Sequence, residues 1–261
     1  MSEYKEVFKR TEIKYLLSKS QYEELMPYLV TIARVDEYGL SRINNIYFDT
    51  PDYRLVRTSI DKPVYKEKLR LRTYGDTTDE SNSFIEIKKK YDGIVYKRRV
   101  SGKYSNAYDY LMGHRTSIGD TQVAREIESF IDTYKGLRPA MVISYDRIAM
   151  AGIEDPDFRV TFDTNIRWSV NNLDLRESNR GKQILSPGQF LMEIKVANAI
   201  PMELAKKLSE LNIFPVSFSK YGRGYAQLMG QKEISRTNTG EVIDYTGYKN
   251  KTIRKGAVNY V

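Results

Sequence analysis

Residues 66–75, KEKLRLRTYG, carry a cation at every second position: Lys66, Lys68, Arg70 and Arg72 alternate with Glu67, Leu69, Leu71 and Thr73. Period two is the signature of a β-strand, so these side chains project from one face. Residues two apart on a strand lie about 6.6 Å from each other. Like charges at that spacing repel by roughly 0.6 kcal/mol in water and about 2.5 kcal/mol at an effective dielectric near 20. A solvated face tolerates such a row, and edge lysines also discourage aggregation. An enclosed row needs anions opposite it. The chemistry it suits is phosphate binding, because an Arg fork holds two phosphate oxygens at once while Lys acts as a point charge.

The other strand-like stretches repeat the pattern. One parity gives Arg10, Glu12 and Lys14; Glu86, Lys88 and Lys90; Lys97 and Arg99; Tyr145 and Arg147; Arg159, Thr161 and Asp163; and Glu193 with Lys195. In most of these stretches the opposite parity is apolar, as with Ile85 and Ile87, with Phe158, Val160 and Phe162, or with Met192 and Ile194. One face of the sheet is therefore buried against an oily layer. The other is dominated by Arg and Lys with isolated carboxylates, the inventory of a lining for a polyanion with single acids left to hold a metal.

Composition narrows the chemistry. The chain has 261 residues, 41% hydrophobic and 29% charged, with 42 Lys plus Arg against 34 Asp plus Glu. The net charge of +8 points to an anionic partner. No cysteine is present, which excludes disulfides, thiolate nucleophiles and Cys-bound zinc. The one histidine, His114, lies in a polar loop-like stretch, so Ser-His-Asp chemistry and His-rich metal sites are disfavoured. Any metal would be bound by carboxylate oxygens, which favours Mg2+ or Mn2+. Neither a Walker A run nor a kinase His-Arg-Asp motif occurs. The N-terminal stretch MSEYKEVFKR has no apolar signal-like core, and no apolar run is long enough to span a membrane. The expectation is a cytoplasmic protein.

The elements that must position these residues follow from periodicity. Strands are predicted at 6–17, 41–50, 64–74, 83–90, 94–100, 139–150, 158–164, 166–170 and 190–197. Helices are predicted after a Ser20–Glu23 capping box, at 104–112, at 121–135, after Pro201 and at 221–229, with a short helical turn following residue 51. The order is mostly that of hairpins and meanders. This predicts an α+β fold: an antiparallel eight-stranded β-barrel with surrounding helices. One domain is expected over 1–230. The polar, basic stretch 231–261 lacks apolar periodicity and reads as a tail, flexible or docked on a partner.

The same residues resemble the triphosphate tunnel metalloenzymes of the CYTH-like superfamily, and in detail the polyphosphate polymerase domain of the VTC (vacuolar transporter chaperone) family. The matching pieces occur in order: EIK at 12–14, KLRLR at 68–72, EIK at 86–88, KRR at 97–99, YDR at 145–147, RVTFD at 159–163, MEIK at 192–195 and SFSKYG at 217–222. NNIYFDT at 44–50 is similar to the family's S-x-YFD strand, and the resemblance covers about residues 5–229. One departure stands out. The tunnel phosphatases tend to begin with E-x-E-x-K, and here Arg10 replaces the first Glu of Arg10-Thr11-Glu12-Ile13-Lys14. That removes a potential metal ligand and adds a phosphate contact, closer to the polymerase branch.

The resemblance implies a triphosphate tunnel and an ATP-dependent polymerase that moves the γ-phosphate onto a growing polyphosphate chain, with ATP and polyphosphate or phosphate as partners. It implies catalytic phosphate contacts at Lys14, Arg70, Arg72, Lys88, Lys97, Arg147, Arg159 and Lys220. Further substrate contacts are expected at Arg10, Lys68 and Lys195, with Lys66, Lys90 and Arg99 extending the basic track. Mn2+ or Mg2+ would sit chiefly on Glu193, with Glu12, Glu86 and Asp163 as weaker ligands. Two alternatives stand beside it: a metal-dependent triphosphatase or polyphosphatase of the same fold, and a non-catalytic module binding polyphosphate or RNA. Nucleic acid is disfavoured, because the tyrosines beside the cations read as packed rather than displayed for stacking. Membrane association, where it occurs, would run through a separate partner protein.

Overall fold

The computed structural model describes residues 11–61, 63–92, 94–177 and 181–237, with side chains described up to residue 230. Two compact units divide the chain, residues 1–225 and 226–261. The first unit holds the sheet.

Nine strands form one antiparallel sheet: β1 (Thr11–Leu17), β2 (Ala33–Asp49), β3 (Tyr65–Tyr74), β4 (Asn82–Tyr91), β5 (Ile94–Lys103), β6 (Arg138–Gly152), β7 (Arg159–Ser169), β8 (Lys182–Gln183) and β9 (Phe190–Val196). Their order is β1-β9-β7-β6-β2-β3-β4-β5, with the short β8 paired to β7. Among the described residues β1 and β5 do not pair, so the hydrogen-bonded ladder does not close. The sheet nevertheless curls. Lys88 on β4 reaches Glu12 on β1, with Nζ and Oε2 3.8 Å apart. Inner side chains thus meet across the open seam, and the curled sheet forms a tunnel.

Helices cover the outer face in two groups. α1 (Lys19–Ile32) and α5 (Met202–Glu210) pack Leu25, Leu29, Leu204 and Leu208 on Phe162, Met192 and Ile194. α3 (Tyr104–Leu111) and α4 (Gln122–Thr133) pack Tyr104, Ile127 and Phe130 on Ile46, Leu69, Leu71, Ile85 and Ile87. Each fully buried aliphatic or aromatic side chain contributes about 1.5–3 kcal/mol. These contacts fix the strand register, because a slip of one residue would turn every apolar side chain inward. α2 (Arg54–Ile60) follows β2, and α6 (Lys220–Thr237) ends the described chain. None of the described helices is long and apolar enough to cross a membrane.

Three local expectations change. The capping box of α1 is formed by Ser18 and Gln21, not Ser20 and Glu23. β1 ends at Leu17, so Ser18 is the residue with extended backbone next to the first free N–H groups. The stretches 158–164 and 166–170 are one strand, β7. Asn165 keeps it continuous by taking a left-handed φ of 49° where the register with β6 slips between Ser144 and Asp146. α6 runs to Thr237 rather than 229, and the rest of the predicted tail, 238–261, lies outside the described residues.

Candidate functional site

The inner face carries two carboxylate-centred clusters. The first belongs to β3, β4 and β5. Register sets Glu86 opposite Arg70 on one side and Arg99 on the other, and aligns Lys68, Lys88 and Lys97 one rung along. Arg70 Nε donates to Glu86 Oε2 at 2.7 Å, Lys97 Nζ lies 2.5 Å from Oε1, and Arg72 Nε lies 3.7 Å from Oε2. Glu86 is 1% exposed. Burial alone would raise its carboxyl, but Arg70, Arg72 and Lys97 outweigh that and hold it at about 2. Lys97 is exposed over part of its side chain, yet partial desolvation of its ammonium outweighs the Glu86 contact and lowers it to about 8.

Side chains from β2 and β6 brace this frame. Arg70 Nη1 donates to Tyr47 Oη at 3.2 Å, and Arg72 donates to Asn45 Oδ1 at 2.8 Å and to Tyr145 Oη at 3.4 Å. Tyr47 is buried, which would raise its phenol, yet Arg70 and Lys68 bring it down to about 8. Lys68 is lowered to about 8 by burial first, with Lys88 and Lys14 adding repulsion.

The second cluster draws on β1, β6, β7, β9 and α6. Arg147 grips Asp163 with two bonds, 2.5 and 2.7 Å long, and lies 3.5 Å from Glu193. Lys220 Nζ lies 2.5 Å from Asp163 and 3.2 Å from Glu193. Lys14 Nζ sits between two acids, 3.5 Å from Glu193 and 3.3 Å from Glu12, and donates to Phe218 O at 3.2 Å. Glu12 also lies 3.8 Å from both Lys88 and Lys195. Burial opposes ionisation of Glu193, but Lys220, Lys14 and Arg147 hold it well below the usual carboxylate range. Glu12 is lowered too, with burial and Glu193 opposing Lys88 and Lys14. Lys220 is raised: burial disfavours its charge, and Asp163 and Glu193 more than compensate.

Tertiary contacts place Lys220. Pro215 bridges to Tyr15, and Val216 N–H donates to Lys14 O at 2.7 Å, so the segment before α6 runs beside β1. The Ser219 hydroxyl accepts from the Gly222 N–H and from Lys68 Nζ, each at 3.1 Å. The Tyr221 ring stacks on Tyr47 at 4.6 Å, and its hydroxyl donates to Asp49 at 2.8 Å. Asp49 also accepts from the backbone N–H groups of Thr50, Leu55 and Val56, which ties α2 to the same point. Gly224 is needed here, because a Cβ would lie 2.6 Å from Met141 Sδ and 3.2 Å from Trp168 Cβ.

Of the residues singled out in the sequence, Lys14, Lys68, Arg70, Arg72, Lys88, Lys97, Arg147, Lys195 and Lys220 come together with Glu12, Glu86, Asp163 and Glu193. The others have different surroundings. Arg159 is exposed at the start of β7, in register with Lys195. Lys66 donates to Ser59 O at 3.3 Å and pairs in register with the half-buried Lys90. Arg99 is exposed over the Phe84 ring at 4.6 Å. Arg10 lies outside the described residues. Asn45 and Tyr47 were not anticipated in the site, although the period-two reading applied to NNIYFDT would have turned both inward. Ser219 carries no such periodic signal.

The carboxylates that could hold a divalent ion are Glu193 and Glu12. Among the described residues no three metal-ligating side chains gather. Magnesium-like ions, however, are commonly held by one or two carboxylates, with substrate phosphates completing the shell. Glu193 and Glu12 both contact the Lys14 ammonium, at 3.5 and 3.3 Å. Glu86 and Asp163 are closed by tighter pairs, 2.5–2.7 Å long.

A curled antiparallel sheet with helices outside and cations inside is the tunnel fold of the CYTH-like proteins. An adenylyl cyclase candidate from Hippeastrum, described as having a dominant triphosphatase activity, is 15% identical, with 83% of this chain and 95% of that one covered and a TM-score of 0.50. An adenylate cyclase candidate from Bacillus halodurans is also 15% identical, with 81% and 95% covered and a TM-score of 0.49. A Pyrococcus horikoshii protein, PH1819, is 14% identical, with 85% and 99% covered and a TM-score of 0.43. No curated protein matches the chain in sequence. The VTC domain model matches residues 9–229, and the chain belongs to the VTC domain family.

Proposed function

We propose that this chain is an ATP-dependent polyphosphate polymerase that transfers the γ-phosphate of ATP to the end of a polyphosphate chain, or to phosphate itself, inside the tunnel. One observation carries the reading: the inner clusters join eight cations to four carboxylates, every carboxylate already touches two or more of the cations, and a ninth cation, Lys68, is bonded to the Ser219 hydroxyl. The positive excess is suited to a linear polyanion.

Arg70, Arg72, Lys97, Arg147, Lys220, Lys14 and Lys88 would hold the phosphate oxygens and stabilise charge on the transferring group. An oxygen of the acceptor's terminal phosphate forms a bond to the γ-phosphorus. The bond from that phosphorus to the β–γ bridging oxygen breaks, and ADP leaves with the electron pair. The acceptor oxygen is already ionised, so no His or Cys base is required. When bound on Glu193 and Glu12, Mn2+ or Mg2+ supplies further charge neutralisation at the phosphates. Lys68 and Lys195 extend the phosphate contacts. Arg10, Arg159, Lys66, Lys90 and Arg99 are assigned to the track along which the polyanion lies.

The second reading is a triphosphatase. It is favoured by the Glu12–Glu193 pair, which could hold an ion beside an attacking water, and by the activity described for the Hippeastrum protein. Incubation with ATP and Mn2+, followed by gel separation of the products, distinguishes the readings. Long chains are expected. Phosphate release without chains would establish the hydrolase, and no turnover would leave a binding role.

A further inference from the structure

Tyr74 ends the alternating row on β3. It follows Lys66, Lys68, Arg70 and Arg72 on the inward parity. Unlike Arg72, it is open to solvent: the side chain is 45% exposed and belongs to neither apolar cluster. Phe84, opposite Arg72 on β4, meets the Tyr74 ring edge-on, with centroids 5.9 Å apart. Arg99 covers one face of Phe84 at 4.6 Å.

Neighbouring tyrosines are placed differently. Tyr47 and Tyr145 also face inward, but both are buried and accept hydrogen bonds from Arg70 and Arg72. At the opposite end of the row the inward positions hold Lys66, Lys90 and Val95, while the exposed Tyr65, Tyr91 and Tyr96 have the outward parity. Of these rings, Tyr74 alone is both accessible and on the face of the phosphate-binding frame. Strand geometry sets the spacing. Tyr74 lies one repeat, about 6.6 Å, from Arg72 and two repeats, about 13 Å, from Arg70. A nucleotide has the same order: a base, a ribose, then its phosphates. With the phosphates on Arg72 and Arg70, the base lies toward the Tyr74 ring.

We propose that Tyr74 is the platform on which the base of a bound nucleoside triphosphate stacks, and so marks the end of the tunnel that takes the nucleoside. This rests on the reading of the tunnel as a nucleotide and polyphosphate site. Stacking on an aromatic ring uses the π-face that every base has, and it needs no hydrogen bond to the base edge. The Phe84 edge contact holds the ring beside the frame while leaving it accessible.

The test is calorimetric titration of ATP and, separately, of tripolyphosphate into the full chain with EDTA present, using wild type, Tyr74→Ala and Tyr74→Phe. Tripolyphosphate carries the phosphates without a base. Wild type should bind both ligands. Tyr74→Ala should bind ATP about tenfold more weakly and tripolyphosphate as wild type does. Tyr74→Phe keeps the ring and should bind both as wild type does. Equal ATP binding by wild type and Tyr74→Ala would overturn the assignment and leave the tunnel reading intact. So would an equal loss of both ligands in Tyr74→Ala, which would mark Tyr74 as a support for Arg72. If wild type binds neither ligand, the tunnel reading fails, and this assignment with it.

Discussion

Glu86 and Glu193 each face three cations, yet they are held in different ways. The partners of Glu86 come from the adjacent strands β3 and β5, joined to β4 by hairpins, and the closest contacts are 2.5–2.7 Å. The partners of Glu193 come from β1, β6 and α6, and the contacts are 3.2–3.5 Å. Glu86 is thus a fixed counter-ion for a local frame of Arg70, Arg72 and Lys97. Glu193 is loosely shared, and one of its partners, Lys14, is shared again with Glu12. On the proposed reading, Glu86 holds positive charge in place and Glu193 exchanges a cation.

Glu86→Gln should break the tighter cluster most severely. It leaves Arg70, Arg72 and Lys97 facing one another without their anion, and breaking a buried pair costs about 3–5 kcal/mol, measured by urea unfolding. Glu193→Gln should cost less stability and instead lower Mn2+-dependent turnover by about two orders of magnitude, or roughly 2.7 kcal/mol in activation energy. The contrast collapses if Glu193→Gln unfolds the protein as readily as Glu86→Gln does, or leaves turnover unchanged.

Next in size is the split between the frame and the strand ends. Arg72→Met should weaken ATP binding more than tenfold, since a charge-assisted contact is worth about 1.5–3 kcal/mol. Neutralising Lys66, Lys90 and Arg99 together should shorten the polyphosphate product while ATP affinity stays within about threefold. Equal loss of ATP binding in both variants would erase the distinction between a nucleotide site and a track.

The smallest effects come from pH. Lys68 and Lys97 titrate near 8 in the folded chain against 10.5 for the free side chain, so the unfolded chain binds more protons between those values. Their contribution to stability therefore rises with pH over this window. Tripolyphosphate affinity should fall over the same window, because the two ammonium groups lose their charge. On the acid side Glu86, near 2 against 4.5, contributes stability that is lost as pH falls from about 4.5 towards 2. Melting curves and titrations at pH 7, 8 and 9 check the basic window. Affinity and stability moving in the same direction there would mean that Lys68 and Lys97 do not face the ligand.

The inner face was legible in the sequence because side-chain direction along a strand is a local property. Alternation alone turned Arg70 and Arg72 away from Leu69 and Leu71, and the structure buries Arg72 on the inner side while the leucines pack under α3 and α4. The hairpin-linked cluster around Glu86 was almost as accessible, since its strands are consecutive. Local rules failed where the backbone departs from regularity. At Asn165 a left-handed residue made one strand look like two, and at Ser18 the cap depended on where β1 stops.

Which cation meets which acid was decided only by the tertiary structure. Arg147 and Arg159 both lie on the inward parity of their strands, yet one is clamped to Asp163 and the other is exposed at a strand end. Lys220 reaches Asp163 and Glu193 because residues 215–216 run beside β1, Tyr221 anchors on Asp49, and Gly224 admits Met141 and Trp168. The sequence sets the face that each residue occupies through a repeat of two residues. Ion pairing depends on distances of a few ångströms between segments up to about two hundred residues apart, and only sheet curl, register and helix docking bring those segments to that range.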